Sequence, residues 1–249
     1  RIDGPALAVV HRQVLFARVG RTLAVFGAWS AATLVTSYYN THVAQSEAWW
    51  QQWTAFEGAG GVWAVAASGY VGASVIVQAT RPRLSAVAST AVLDRRTLSD
   101  VLDVGIARCL RLYAAVAALA SIVWLVVWLD SGAVRPSEWV MCVMAVAIAA
   151  VGAAEWVARR RQRAADEEEL AVDELTRSAT ANALAGAAIA MFGLHAFHTH
   201  GALLMWNDLA PVATGGVVVF TLFGLGCWWG SGTSFVFRTR RIDSLRAAA

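Results

Sequence analysis

The residues best suited to chemistry in this sequence are three closely spaced histidines, His195, His198 and His200. On a helix, His195 and His198 would share one face because they lie three positions apart. Imidazole nitrogens bind zinc, copper and haem iron, and His42 and Asp208 could supply further ligands. The spacing H-x-x-H-x-H matches no strong metal signature. Two interpretations therefore stay open: a metal or haem site, and histidines at a membrane boundary that bind water, headgroups or protons.

Sequence patterns for other chemistry are missing. The chain has no G-x-S-x-G, no H-E-x-x-H and no phosphate-binding loop, so we predict no catalytic activity and no ATP site of its own. Cys109, Cys142 and Cys227 lie far apart in the sequence and show no C-x-x-C spacing, which favours small apolar side chains over a metal or redox site. Glu155 lies in an apolar stretch and is predicted to pair with Arg159, four positions later.

The composition indicates a membrane protein. Of 249 residues, 58% are hydrophobic and 15% are charged, whereas soluble domains carry roughly 25% charged residues. Six apolar stretches approach the roughly 20 residues that a helix needs to cross a bilayer. The sequence therefore predicts an all-α helix bundle in one transmembrane domain, with spans at about 22–38, 60–79, 112–129, 138–157, 182–204 and 210–237.

The arginines predict how these spans are oriented. All 20 basic residues are arginines, and in the six-span arrangement only Arg135 falls on the opposite side from the rest. Because cytoplasmic loops retain positive charge, both termini and the loops 80–111 and 158–181 are predicted to be cytoplasmic, in the inner membrane. Arginines that flank spans in this way do not form a nucleic-acid surface.

The two predicted cytoplasmic loops carry dense charge. The sequence Thr97-Leu98-Ser99-Asp100 resembles a capping box and predicts a short helix ahead of Val101. A solvated helical face and a docking surface for a cytoplasmic partner both fit these charges. The residues predicted for docking are Arg95, Arg96, Asp100, Glu167, Glu168 and Asp173.

Small residues recur at the spacing that lets membrane helices approach closely. Gly226 and Gly230 form a G-x-x-x-G pair in the sixth span, and Ser68, Gly72 and Gly186 belong to similar patterns in the second and fifth spans. These residues are predicted to serve helix packing. Packing within the chain and contact with a second copy or another partner both remain open.

The segment from Phe237 to Ala247, with Arg238, Arg240, Arg241 and Arg246, resembles the basic segment that follows a span in permease subunits of bacterial ABC exporters. The glycine expected soon afterwards is absent. The resemblance implies a transport subunit that works with a separate ATPase docked on the cytoplasmic loops. Two alternatives remain: a membrane-anchor subunit of an enzyme or redox assembly with a metal or haem at the histidines, and a scaffold that holds partners.

Overall fold

The computed structural model describes residues 15–17, 19–31, 33–34, 55–79, 90–92, 97–131, 138–160, 162–164, 167–204 and 210–233. Its helices are α1 (19–31), α2 (Ala55–Ala79), α3 (Leu98–Val101), α4 (Val104–Ser131), α5 (Glu138–Arg159), α6 (Glu167–Leu204) and α7 (Ala210–Thr233). Two strands of three residues each, β1 (Thr90–Val92) and β2 (Gln162–Ala164), form the only sheet in this part of the chain. Apart from this ladder, the described elements are helices, so the all-α prediction is confirmed in coarse form.

Among the described residues, three helices contain segments long and apolar enough to cross a membrane: Val104–Asp130, Val140–Arg159 and Asp173–Thr199. Shorter apolar stretches lie in α2 and α7, at Ala64–Ala79 and Val218–Ser231. The outer faces of the helices expose many large apolar side chains, among them Leu119, Ile122 and Leu129 of α4 and Val219, Leu222 and Phe223 of α7. Exposure of so much apolar surface to water is unfavourable, whereas lipid would cover it without this cost.

Helix α6 lies at the centre of the bundle. It packs against α2, α4, α5 and α7, and 89% of its most apolar stretch is buried, against 11% for that of α4. The residues from 181 to 190 are all buried and mostly alanine or glycine, so neighbouring helices can approach the α6 backbone. With 38 residues, α6 is about 57 Å long. That exceeds the roughly 30 Å hydrocarbon layer, so it must extend beyond the layer or tilt.

Helices α4 and α6 begin well before the spans predicted from the sequence. Helix α4 begins at Val104 rather than near residue 112, and α6 begins at Glu167, inside the predicted loop 158–181. The last part of that loop is also less solvated than its charges suggest, because Leu175, Arg177 and Ala181 are buried. The charges indicated a solvated loop, but from Glu167 the segment is a helix whose inner face packs against the rest of the bundle.

The β1–β2 ladder joins the two predicted cytoplasmic loops. The strands are antiparallel and pair Thr90 with Ala164, Ala91 with Arg163, and Val92 with Gln162. Because β1 lies between α2 and α3, and β2 between α5 and α6, their pairing puts both connections at one end of the bundle. We call this the arginine-rich end.

Helix α1 packs against α2 through a close backbone approach. A Cβ added at Gly69 would lie 2.8 Å from the carbonyl oxygen of Ala24, so only glycine fits there. Nearby, the Arg21 guanidinium donates a hydrogen bond of 3.3 Å to the Tyr70 hydroxyl and lies 5.5 Å from that ring's centroid. Tyr70 in turn makes an edge contact with Trp228, so α1, α2 and α7 are linked at this level.

Candidate functional site

At the arginine-rich end, buried polar side chains tie α2, α5 and α6 together. Gln78 of α2 donates a hydrogen bond of 2.6 Å to the Thr180 hydroxyl of α6. Its amide also lies 3.4 Å from the Thr176 carbonyl. Arg160, just after α5, donates to the backbone carbonyl oxygen of Gln78 at the end of α2. The C-terminal end of α2 is therefore held by neighbouring side chains rather than by water alone.

Arg177 of α6 satisfies the end of α5. Its guanidinium donates to the carbonyl oxygen of Ala158 at 3.1 Å and to that of Arg160, and it pairs with Asp173 at 2.8 Å. A helix leaves its last carbonyls without intrahelical partners, and a cation is favoured beside them. Arg177 is 5% exposed. We call Gln78, Arg160, Asp173, Arg177 and Thr180 the inner polar cluster.

A second group of polar side chains on α6 holds the break between α3 and α4. The Asn182 amide nitrogen lies 3.4 Å from the Val101 carbonyl, and its carbonyl oxygen accepts from the Asp103 backbone N–H at 3.1 Å. Ser178 also donates to Val101, at 2.8 Å. Asn182 is fully buried. The interrupted backbone can be buried here because side chains of α6 replace the missing helical hydrogen bonds.

The predicted capping box is confirmed. The Thr97 backbone N–H donates to an Asp100 carboxylate oxygen at 2.7 Å, which is the contact that the third residue of a capping box makes with the N-cap, and the Thr97 hydroxyl lies 2.7 Å from the same oxygen. Asp100, one of the residues predicted for docking, is therefore engaged in starting α3, and its side chain is exposed. Its carboxylate remains on the surface of the arginine-rich end.

The other predicted docking residues have different positions. Asp173 pairs with Arg177 inside the inner polar cluster. Glu167 and Glu168 belong to the first turn of α6, whereas Arg95 and Arg96 lie outside the described residues. Sequence reasoning missed Arg177 and Asn182 as buried anchors. The sequence could have identified them, because each lies just before or inside an apolar stretch, where a charged or amide side chain needs partners.

At the opposite end of α6, His195 links three helices. Its Nδ1 lies 3.2 Å from the Val140 carbonyl oxygen of α5, and its Nε2 lies 2.8 Å from the Ser121 hydroxyl of α4. A carbonyl oxygen only accepts, so Nδ1 carries a hydrogen. The single hydroxyl hydrogen of Ser121 is shared between two acceptors in the neutral state, Nε2 of His195 and the Ala117 carbonyl oxygen, each 2.8 Å away. His195 is 2% exposed. A metal bound through Nε2 would have to displace the serine hydroxyl.

The three histidines predicted as ligands do not share one environment. His198 lies one turn after His195 and is only half-buried. His200 belongs to the α6 backbone, but its side chain lies outside the described part, as do His42 and Asp208. Within the described residues, no group of three or more His, Cys, Asp or Glu side chains is placed to hold a metal ion. The metal or haem interpretation stays a prediction.

Between the two ends, the core of α6 is apolar. Residues 183–192 contain no polar side chain and are buried among the neighbouring helices. The Glu155 carboxylate pairs with Arg159 at 2.6 Å, as predicted from their spacing, and this pair lies at the end of α5. In the described bundle, the polar groups at the arginine-rich end and His195 are therefore separated by an apolar core.

The glycine patterns divide into two classes. A Cβ added at Gly186 would overlap the Ser231 side chain and lie 3.0 Å from Trp228 Cα, so this glycine allows α6 and α7 to touch. A Cβ at Gly72, Gly226 or Gly230 would meet no atom of a neighbouring element of the described chain within 4 Å. Gly226 and Gly230 lie on the exposed face of α7. If these two glycines serve helix packing, as predicted, the helix that packs on them belongs to another copy of the chain or to a partner; otherwise they face lipid.

Comparison with known proteins gives no family. No family model matches the chain, and no curated protein or solved structure shows significant similarity to it. The geometry of the described helices is therefore the guide to what this chain does. Side-chain hydrogen bonds join the helix ends at the arginine-rich end, and the described side chains include no catalytic constellation.

His195 is predicted to act as a structural link between helices. Replacing His195 with alanine should lower the stability of the bundle by about 1 kcal/mol, because two interhelical hydrogen bonds are lost. A double-mutant cycle with Ser121→Ala, followed by thermal unfolding in mild detergent, should show a coupling of about 0.5–1 kcal/mol. A chelator should leave the wild-type unfolding temperature unchanged; a large drop would point to bound metal instead.

Proposed function

We propose that this chain is the membrane-embedded subunit of a transport complex in the cytoplasmic membrane, of the exporter permease kind, and that a separate ATPase docks on its arginine-rich end. The proposal includes six spans with both termini in the cytoplasm. Three kinds of observation support it: helices that are apolar enough to span a membrane, the strand pairing that brings both charged loops to one end, and the one-sided distribution of arginine.

The main support for the proposal is that side-chain hydrogen bonds join several helices into one unit at the arginine-rich end. The inner polar cluster joins α2, α5 and α6, and Asn182 and Ser178 add the α3–α4 break to the same unit. A subunit driven by an external ATPase must pass a displacement from its cytoplasmic surface to its spans. Side-chain networks and rigid helices transmit such displacements better than flexible loops.

Helix α6 can transmit that displacement because it is continuous. The helix runs unbroken from Glu167, in its charged first turn, into the centre of the bundle. A partner that moved the first turn would therefore move the core against α4, α5 and α7, as in the sliding of packed helices during domain closure.

A transport route through one copy is not supported by the apolar core of α6. The route would instead lie between two copies or along a partner. The outward-facing Gly226 and Gly230 of α7 offer a surface on which a second helix could approach closely.

A mild-detergent pull-down of tagged protein from its native membrane tests the proposal. We expect a stoichiometric nucleotide-binding subunit in the mass spectrum. Replacing both Glu167 and Glu168 with arginine should reduce its recovery by about tenfold or more, because like charges across an interface are repulsive. The matched control is Asp130→Arg, a charge reversal at the opposite end of α4, which should leave recovery unchanged.

The same preparation distinguishes the alternatives. Absence of an ATPase from the wild-type complex would reject the permease proposal. Redox subunits together with a haem spectrum or stoichiometric metal would identify an anchor subunit. Other partners with neither signal would identify a scaffold.

A further inference from the structure

Arg21 of α1 is a buried cation at the contact between α1 and α2. It is 9% exposed. Its Nε donates to the Ala17 carbonyl oxygen at 3.0 Å, and its Nη1 donates to the Tyr70 hydroxyl at 3.3 Å. Among the described residues, no carboxylate forms an ion pair with Arg21, whereas Arg159 and Arg177 each pair with a carboxylate four positions away. A cation covered to this extent calls for a partner of opposite charge.

Some hydrogen-bond donors at this contact have no acceptor within the described part of the chain. A guanidinium carries five N–H groups, and Ala17 and Tyr70 accept from two of those of Arg21. The Tyr70 hydroxyl, which accepts from Arg21, still has its own hydrogen to donate. The Arg21 Nη2 atom is not one of the enclosed, unpaired nitrogens in that part of the chain, so an outside acceptor can reach it. Nη2 and the Tyr70 O–H therefore form a pair of neighbouring donors.

The guanidinium of Arg21 points toward the arginine-rich end. A Cβ added at Gly20 would lie 4.0 Å from Val77 Cγ2, close to the end of α2, and one at Gly69 would meet the Ala24 carbonyl oxygen. Helices α1 and α2 are therefore antiparallel, and a step back along α1 leads toward the inner polar cluster. The Nε bond to Ala17 draws the side chain in that direction. Lipid headgroups of the same side of the membrane lie there.

We propose that Arg21 and Tyr70 bind the phosphate of an anionic lipid from the leaflet at the arginine-rich end. One phosphate oxygen accepts from Nη2 of Arg21, and a second accepts from the Tyr70 O–H. Hydrogen bonds between a guanidinium and a phosphate are charge-assisted and among the stronger ones in proteins. The phosphate also supplies the negative charge that Arg21 does not receive from the described residues.

The surface around Arg21 favours a lipid over free phosphate. Leu23 and Phe26 follow on α1 and are each 66% exposed, and Ile76 of α2 is 61% exposed. A free ion would have to leave water for a site with an apolar rim, which costs solvation energy. A lipid phosphate is already held at the membrane interface, and its acyl chains would lie along these apolar side chains.

The charges at this end favour a lipid with net negative charge. Arg160 donates to the backbone carbonyl oxygen of Gln78 and lies 5.8 Å from the Trp156 ring centroid, and it too forms no ion pair with a carboxylate of the described residues. Arg108 and Arg111, near the start of α4, are exposed. A choline headgroup would add a further cation to this surplus, whereas phosphatidylglycerol adds only an anion.

A lipid bound here would hold α1 on the rest of the bundle. Tyr70 makes an edge contact with Trp228 of α7, with the ring centroids 5.2 Å apart. The phosphate would therefore join α1 to α2 beside a residue that already links α2 to α7. This site does not depend on whether the chain is a transport subunit.

Lipid titration of the delipidated protein, read by native mass spectrometry in a mild detergent, tests the proposal. Phosphatidylglycerol and phosphatidylcholine with the same acyl chains are compared. We expect the first phosphatidylglycerol to bind about tenfold or more tightly than the first phosphatidylcholine, as for a hydrogen bond between charged groups. Arg21→Gln should abolish this preference. Tyr70→Phe keeps the ring beside Trp228 and should reduce the preference about threefold or more.

Arg159→Gln is the matched control, because it removes the same charge from an exposed arginine at the same end. It should leave the preference unchanged, so that a general loss of positive charge is separated from loss of the site. No preference in the wild type, or a wild-type preference in both Arg21→Gln and Tyr70→Phe, would overturn the proposal. If Arg21→Gln does not fold, the result for Tyr70→Phe decides. Ammonium phosphate at the concentration of the lipid should not displace phosphatidylglycerol; displacement would overturn the proposal in favour of a free-anion site.

Discussion

Replacing Arg177 with alanine is expected to lower the free energy of unfolding by about 3 kcal/mol, the range found when one partner of a buried ion pair is removed. The guanidinium of Arg177 satisfies the Ala158 and Arg160 carbonyls at the end of α5 and pairs with Asp173. Without it, two carbonyl oxygens and a partly buried carboxylate lose their donors. Thermal or SDS-induced unfolding in mild detergent, with wild type as the reference, measures the loss.

The same structure supplies a matched control for this variant. Arg159 also pairs with a carboxylate four positions away, but the Arg159 side chain is 70% exposed, against 6% for Arg177. Arg159→Ala should therefore change stability by no more than about 0.5 kcal/mol, as for other exposed ion pairs. Equal effects of the two variants would show that the burial of Arg177 and its capping of α5 contribute nothing.

Replacing Gly186 with leucine is the second change with a large expected effect. The first added carbon would overlap the Ser231 side chain and lie 3.0 Å from Trp228 Cα, so α7 would have to move away from α6. Backbone cannot move aside as the end of a flexible side chain can. Overpacking of this kind costs about 1–3 kcal/mol, and we expect the upper part of that range.

Gly226→Leu is the control, because a Cβ at Gly226 meets no atom of a neighbouring element of the described chain within 4 Å. This variant should unfold at the wild-type temperature or above it, since leucine is a better helix former than glycine. Size-exclusion chromatography with light scattering should accompany both measurements. A fall in oligomer size for Gly226→Leu alone would place a second copy at the G-x-x-x-G face. A stability loss as large as that of Gly186→Leu would contradict the assignment of Gly226 to the outer surface.

Much of the helical architecture follows from local sequence. Helix α5 begins at Glu138, where the fourth span was predicted, and α2 ends at Ala79, at the predicted end of the second. The capping box at Thr97 and the pair of Glu155 with Arg159 also follow from spacing alone. Each of these depends on interactions between residues a few positions apart, which the sequence displays directly.

The arrangement of the helices required the tertiary structure. The Gln78 contact with Thr180, the Asn182 contacts with the α3–α4 break and the stacking of the Tyr113 ring of α4 on Phe220 of α7 all join residues distant in sequence. Nothing in local pattern distinguishes Gly186, which touches α7, from Gly226, which faces outward. In lipid both helix faces are apolar, so hydrophobic periodicity does not reveal which face is inside.

By itself, the sequence determined that this chain is an all-helical membrane protein and which stretches are apolar enough to span, because hydropathy and charge are properties of single residues. Only the tertiary structure decided that α6 is the centre and that Arg177 and His195 are buried links between helices. Those facts depend on helix register and on which glycines allow close approach, and both are settled by packing between elements rather than within them.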